Sequence, residues 1–342
     1  MKKLCVPLAL ALLIVLAAVL VSSCATQREF KYKVGVSLMT EQHWFYQDLR
    51  KAMEDSQARN DCELFISSAE FDSKKQMEQV RSFITQRYDA MIICPIDSAA
   101  IGEAIKEANE AGIPVFTADV KADKGTVVCH VASDNVQGGE LAAKELGLLL
   151  GGKGNIVIID YPAPRSVQDR VKGFKKGLKK LPGIKVLDSP SGEGKKDKAF
   201  EVMKQMLTKH QSLDAVFGIN DDSALGAVQA IEAAGRQKDI IVVGYDGGPE
   251  AVEKMAEEGS CLKVSVTQYP RVIGKTVVDM VGSFITGGTP LAEKLIAVGT
   301  IDTEKAKQML AQQAEEKEIE QQQKEAGDLV TGNQGEQVEG GE

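Results

Sequence analysis

Histidine and tryptophan are scarce in this 342-residue sequence: three histidines, His43, His130 and His210, and one tryptophan, Trp44. No Ser/His/Asp order of a hydrolytic triad stands out. No two cysteines have CxxC spacing and there is no EF-hand loop, so neither a metal nor any other cofactor is expected. The glycine-rich run Gly151-Gly152-Lys153-Gly154 lacks phosphate-loop spacing and precedes a strand instead of joining strand to helix. Basic residues are outnumbered, 41 against 49 acidic. Without Lys2 and Lys3 of the first 23 residues the balance is 39 against 49, or −10. That balance argues against a nucleic-acid partner and is read as solubility. These absences disfavour an enzyme. The main trace of one is Asp221-Asp222, read instead as serving the positive end of a helix.

With 43% hydrophobic residues, the chain can form two domains, each with its own core. From Lys33 onward it alternates strand and helix. Nine strands are expected, among them Lys33–Met39, Ala90–Cys94 and Asn155–Ile159, with helices such as Phe45–Gln57 and Ser166–Lys180 between them. The clearest unit is Asp214–Pro249: strand Asp214–Gly218, a helix carrying Ala224, Leu225, Ala227, Val228 and Ile231, then strand Ile240–Gly244. Such alternation implies an α/β fold of parallel sheets covered by helices on both faces, and its length implies two similar doubly wound lobes. Ligands of such sheets bind outside the carboxyl ends of the strands, where Asn220 and Asp246 fall. An amide beside a carboxylate can both donate to and accept from a hydroxyl.

The ends of the chain differ from its middle. Lys2 and Lys3 precede an apolar run, Cys5–Val21, which is read as an export signal over residues 1–23. The run meets Cys24 as Val21-Ser22-Ser23-Cys24, which resembles the lipobox of bacterial lipoproteins and implies acylation of Cys24. An ordinary cleaved signal and a membrane helix are the other readings of the run. Residues 24–31 would be a linker. Cys62, Cys94, Cys129 and Cys261 are read as buried thiols, with three pairings open should a disulfide form. Residues 304–342, rich in Glu, Gln and Lys, are expected to start as a polar helix and end as a disordered tail.

The segments VFGINDDSALGAVQAI and VVGYDGGPE resemble the type I periplasmic substrate-binding proteins, in their ribose- and galactose-binding branch. The resemblance covers about residues 33–300. It implies two lobes joined by a multi-strand hinge, one from 32–133 plus 269–297 and the other from 134–268 plus 298–303. VVCHVASDNVQGGELAA and VSVTQYPRVIG resemble the crossovers, with Asn135 as a helix cap. The resemblance implies a monomer, anchored through Cys24 in the periplasm or at the cell surface, that delivers a small sugar-like ligand to an ABC permease without chemistry. A sensing lipoprotein that presents its ligand to a chemoreceptor or kinase fits the same sequence. A LacI-type regulator shares the fold but needs an N-terminal helix-turn-helix, where this chain has an apolar run.

The resemblance also marks a ligand site. Phe45 and Tyr46 match its stacking aromatics, preceded by His43-Trp44 where the family has Asn-Pro. Asp119, Asn220, Asp246 and Gln268 match its polar ligand residues unchanged. Gln168 stands in place of a sugar-binding Arg, with Arg170 at a position the family keeps as structural. Cys94 replaces an Asn, Val120 an Arg, and Gly194 an aromatic. Phe45, Tyr46, Asp119, Asn220, Asp246, Gln268, His43 and Gln168 are therefore the expected ligand-binding residues. The loss of two arginines disfavours an anionic ligand and implies a neutral polyol.

Overall fold

The computed structural model describes residues 29–332. The expected signal, Cys24 and residues 333–342 lie outside the described residues. Twelve strands follow in chain order: β1 (Tyr32–Leu38), β2 (Cys62–Ser68), β3 (Ala90–Ile93), β4 (Val115–Ala118), β5 (Cys129–Ser133), β6 (Lys153–Ile159), β7 (Gly183–Asp188), β8 (Ala215–Gly218), β9 (Ile241–Asp246), β10 (Leu262–Thr267), β11 (Glu293–Ile296) and β12 (Gly299–Asp302). They form two six-stranded sheets, ordered β11-β5-β4-β3-β1-β2 and β12-β10-β9-β8-β6-β7. The two orders are the same pattern repeated, as the expected pair of doubly wound lobes requires. All pairings are parallel except β10 with β12, which is antiparallel.

The central strands β3 (AMII), β4 (VFTA) and β8 (AVFG) are buried along their whole length, as parallel strands covered on both faces must be. The chain passes between the sheets three times, after β5, after β10 and between β11 and β12. Strands β5, β11 and β12 fall outside the nine expected. Glu293, Lys294 and Leu295 of β11 are exposed, so hydropathy gives no sign of the strand.

Local chemistry fixes the helix starts that border the cleft. The His43 Nδ1 accepts from Phe45 N (3.3 Å) and caps the helix Trp44–Glu54. The Asn220 Oδ1 accepts from Ser223 N (2.9 Å) and caps Asp221–Ala233. The helix Asn135–Leu149 is capped by Asp134, whose Oδ1 accepts from Gln137 N (2.9 Å), and not by Asn135 as expected. That helix packs against Arg165–Leu178 at backbone distance. A Cβ at Gly139 would overlap the Arg170 carbonyl, and one at Gly173 the Val136 carbonyl.

The segment expected to start as a polar helix is helical from Thr303 to Gly332, further than expected, and the end expected to be disordered runs into residues 333–342, outside the described residues. Alanine, glutamate, glutamine and lysine are all strong helix formers, which a low apolar content conceals. Cys62, Cys94, Cys129 and Cys261 are free and buried. Among the described residues, no helix is long and apolar enough to cross a membrane.

Candidate functional site

The carboxyl ends of both sheets face one cavity of about 80 Å³. Its polar and aromatic lining includes His43, Phe45, Tyr46, Phe71, Asp119, Tyr161, Ser166, Arg170, Asn220, Asp246 and Gln268. Seven of the eight expected residues therefore meet there, drawn from five strand ends. Gln168 does not. Helix Arg165–Leu178 turns Ser166, Val167, Arg170 and Phe174 inward, and at 100° per residue position 168 falls on the far side. Gln168 is exposed, and its Nε2 donates to Pro162 O (2.8 Å). The inward cation is Arg170, 4% exposed. Its helical phase, four residues after Ser166, was the signal that points to it.

Two carboxylates dominate the cavity. Asp119 follows β4 with φ 64°, and Asp246 ends β9 with φ 119°. Positive φ is uncommon outside glycine and costs on the order of 1–3 kcal/mol where it lies off the left-handed minimum. The Tyr46 hydroxyl donates to Asp119 Oδ2 at 2.6 Å. Burial raises the Asp119 pKa to about 6, with the Tyr46 bond and the Arg170 charge opposing. Burial also holds the Tyr46 phenol well above its ordinary range, so it stays a donor.

Asp246 is held from several sides. Gln268 Nε2 donates to its Oδ1 at 2.7 Å, and Asp221 N lies 3.4 Å from its Oδ2. His43 Nε2 lies 3.8 Å from Oδ2, and Arg170 NH1 3.8 Å from Oδ1. Because His43 Nδ1 accepts a backbone N–H, the neutral ring carries its proton on Nε2, facing Asp246. The Arg170 guanidinium lies 3.5 Å from the Tyr245 ring centroid, bonds Asn135 Oδ1 through NH2 (2.9 Å) and donates to Ile219 O. Asn135 thus ties helix Asn135–Leu149 to the cavity cation. Asp221, whose pKa is raised first by burial and then by Asp246, accepts from Ser265 Oγ (2.8 Å) and Gly248 N (2.6 Å).

Asn220 also lines the cavity. Its Nδ2 donates one proton to Gly194 O (3.0 Å), which leaves the second. Gln268 is 5% exposed, and its Oε1 has no partner among the described residues. Val120 and Gly194 leave apolar wall where the resemblance leads one to expect an arginine and an aromatic. Cys94 is buried and does not line the cavity. Tyr161, two residues past the end of β6, lines it too. An aromatic just beyond a strand's carboxyl end was its signal in the sequence.

Two doubly wound lobes with a polar cavity between their facing strand ends make a two-lobed ligand-capture protein. A family model described as periplasmic binding protein domain matches residues 34–289, and the chain belongs to that family. It is 34% identical over 267 residues to the ribose import binding protein of Bacillus subtilis (strain 168), covering 78% of this chain and 85% of that one. It is also similar to an ABC transporter solute binding protein from Bacillus halodurans C-125 with bound myo-inositol: TM-score 0.75, 30% identity, 84% of this chain and 99% of that one. The fructose binding periplasmic domain of a hybrid two component system is similar at TM-score 0.78 and 26% identity, covering 85% and 97%.

Proposed function

We propose that the protein is the solute-binding component of an ABC importer and captures one neutral sugar or sugar-like polyol between its lobes. The observation that carries this is the cavity itself. Two carboxylates and a buried Gln268 oxygen lacking a donor face aromatic side chains across it. A buried acceptor without a donor is costly, and a ligand hydroxyl would satisfy it. Aromatic faces pack the C–H faces of a sugar ring. A water needs on the order of 10–15 Å³ of such space, so the cavity holds roughly six water-sized groups. So small a space has no room for an oligosaccharide.

A micromolar Kd corresponds to about −8 kcal/mol. Over the roughly ten heavy atoms of a pentose this is about −0.8 kcal/mol each, within the limit of about −1.5 for small ligands. No bond is made or broken in this reading, and binding energy goes into capture and closure. The ligand contacts are Phe45, Tyr46, Asp119, Asn220, Asp246, Gln268 and His43, with Arg170 in place of Gln168. The protein works as a monomer held to the membrane by acylated Cys24 and hands its ligand to a permease. The likeness to a two-component periplasmic domain supports a second reading, a sensing lipoprotein.

The test is a titration with pentoses, hexoses, cyclitols and nucleosides, followed through Trp44 emission and thermal stability. Saturable binding of one sugar or polyol class is expected, with Asp246→Ala abolishing it. Silence across the panel sinks the reading. Deleting the gene separates the two roles: lost uptake of the ligand marks an importer, and lost ligand-dependent signalling with normal uptake marks a sensor.

A further inference from the structure

Tyr161 is unusual among the cavity residues because nothing among the described residues uses its hydroxyl. Asp119, Asp246 and Gln268 Oε1 are acceptors. The Tyr46 hydroxyl is spent on Asp119, and Arg170 on Asn135 and Ile219. Tyr161 makes a backbone bond to Asp160 Oδ1 (2.7 Å), but its hydroxyl has no hydrogen bond among the described residues. Burial, then Asp97 and Glu193, raise its pKa, so it is a donor at neutral pH.

Its ring is placed with equal economy. Gly194 has φ +65°, and a Cβ there would stand 3.2 Å from Tyr161 Cδ1. The loop is bare at that point, and the Tyr161 ring occupies the wall. The other aromatics of the cavity, Phe45, Tyr46 and Phe71, follow β1 and β2 of the first sheet. Tyr161 follows β6 of the second. A ligand between the lobes therefore has aromatic surface on both sides only when the lobes come together.

We infer that Tyr161 is a specificity-determining residue, whose ring closes the second-lobe wall over the ligand and whose hydroxyl donates to a ligand oxygen. This rests on the reading of the cavity as a polyol site. It assigns the acceptor-rich side to ligand hydroxyl protons, and the Tyr161 side to an oxygen lone pair on the sugar.

The experiment compares wild type, Tyr161→Phe and Tyr161→Ala by calorimetric titration of the purified protein with the same panel of pentoses, hexoses and cyclitols. Ligand-free thermal midpoints serve as the folding control. Removing only the hydroxyl should weaken the best ligand about fivefold or more and compress the ranking of the panel. Removing the ring should weaken it on the order of 30-fold. Tyr161→Phe within twofold of wild type, with an unchanged ranking, overturns the inference while leaving the polyol reading standing. A wild type that binds nothing in the panel overturns both. Should Tyr161→Ala fail to fold, Tyr161→Phe alone decides.

Discussion

The Tyr46 hydroxyl and the Asp119 carboxylate form a 2.6 Å hydrogen bond inside the cavity, from the first helix to the end of β4. It stabilises the charged form of an acid whose burial favours the neutral one. Burial wins, and Asp119 titrates near 6 instead of its ordinary 3.8. Between about pH 4 and pH 6 the folded chain then holds a proton that the unfolded chain has released. Stability should fall as pH rises through that window, by up to about 3 kcal/mol from this group. Ligand affinity should move the other way and weaken below about pH 6, because a protonated acid accepts poorly from a hydroxyl. Tyr46→Phe should shift the midpoint of the affinity profile upward. Calorimetric titration from pH 5 to pH 8 on both proteins measures this, and coincident profiles would exclude a ligand role for the Asp119 charge.

Arg170 and Gln168 separate an inward position from an outward one on a single helix. Arg170→Met strips the donors from Asn135 and Ile219 O and takes the cation from beside Asp246. It should destabilise the fold by about 3 kcal/mol and weaken binding more than tenfold. Gln168→Ala should change ligand affinity less than twofold. Urea unfolding and ligand titration of both variants give the comparison. A large affinity loss in Gln168→Ala would restore that residue to the site.

Trp44 rests against Gly248 from the other lobe, and a Cβ at Gly248 would overlap its indole nitrogen. Gly248 has an ordinary φ of −76°, so the backbone conformation admits a side chain there, and the nearest obstacle is the tryptophan. Gly248→Val should leave ligand-free stability within about 1 kcal/mol. It should nevertheless weaken binding more than tenfold and remove the ligand-induced change in Trp44 emission. Wild-type affinity in Gly248→Val would show that this contact is not needed for capture.

Gly139 allows two helices to meet at their backbones. Overpacking a core costs about 1–3 kcal/mol when side chains can give way. Here the obstacle is the Arg170 carbonyl, so Gly139→Ala should cost at least about 3 kcal/mol. A thermal midpoint unchanged from wild type would refute that packing.

Much of this was legible in the residues. Parallel strands buried on both faces are continuous apolar runs, so β3, β4 and β8 stood out. The strand-end position of Asp119, Asn220, Asp246 and Gln268 followed from the same alternation. Strand β11 was not legible, since its pairing with β5 is a long-range event that leaves little mark in an exposed Glu-Lys-Leu. Gln168 was misplaced because matching a motif fixes a position in the chain, whereas the helical phase decides which way it faces. Tyr161 escaped because its role depends on Gly194, 33 positions away, having no side chain.

The three passages between sheets also set the timetable of synthesis. The first lobe's sheet lacks its outer strand until residue 296 exists, and helix Pro270–Ile285, which packs on Trp44–Glu54, arrives almost as late. A chain emerging from its amino end therefore cannot finish its first lobe before most of the second has been made. Until then that lobe stands without its edge strand and without one of the helices that cover it.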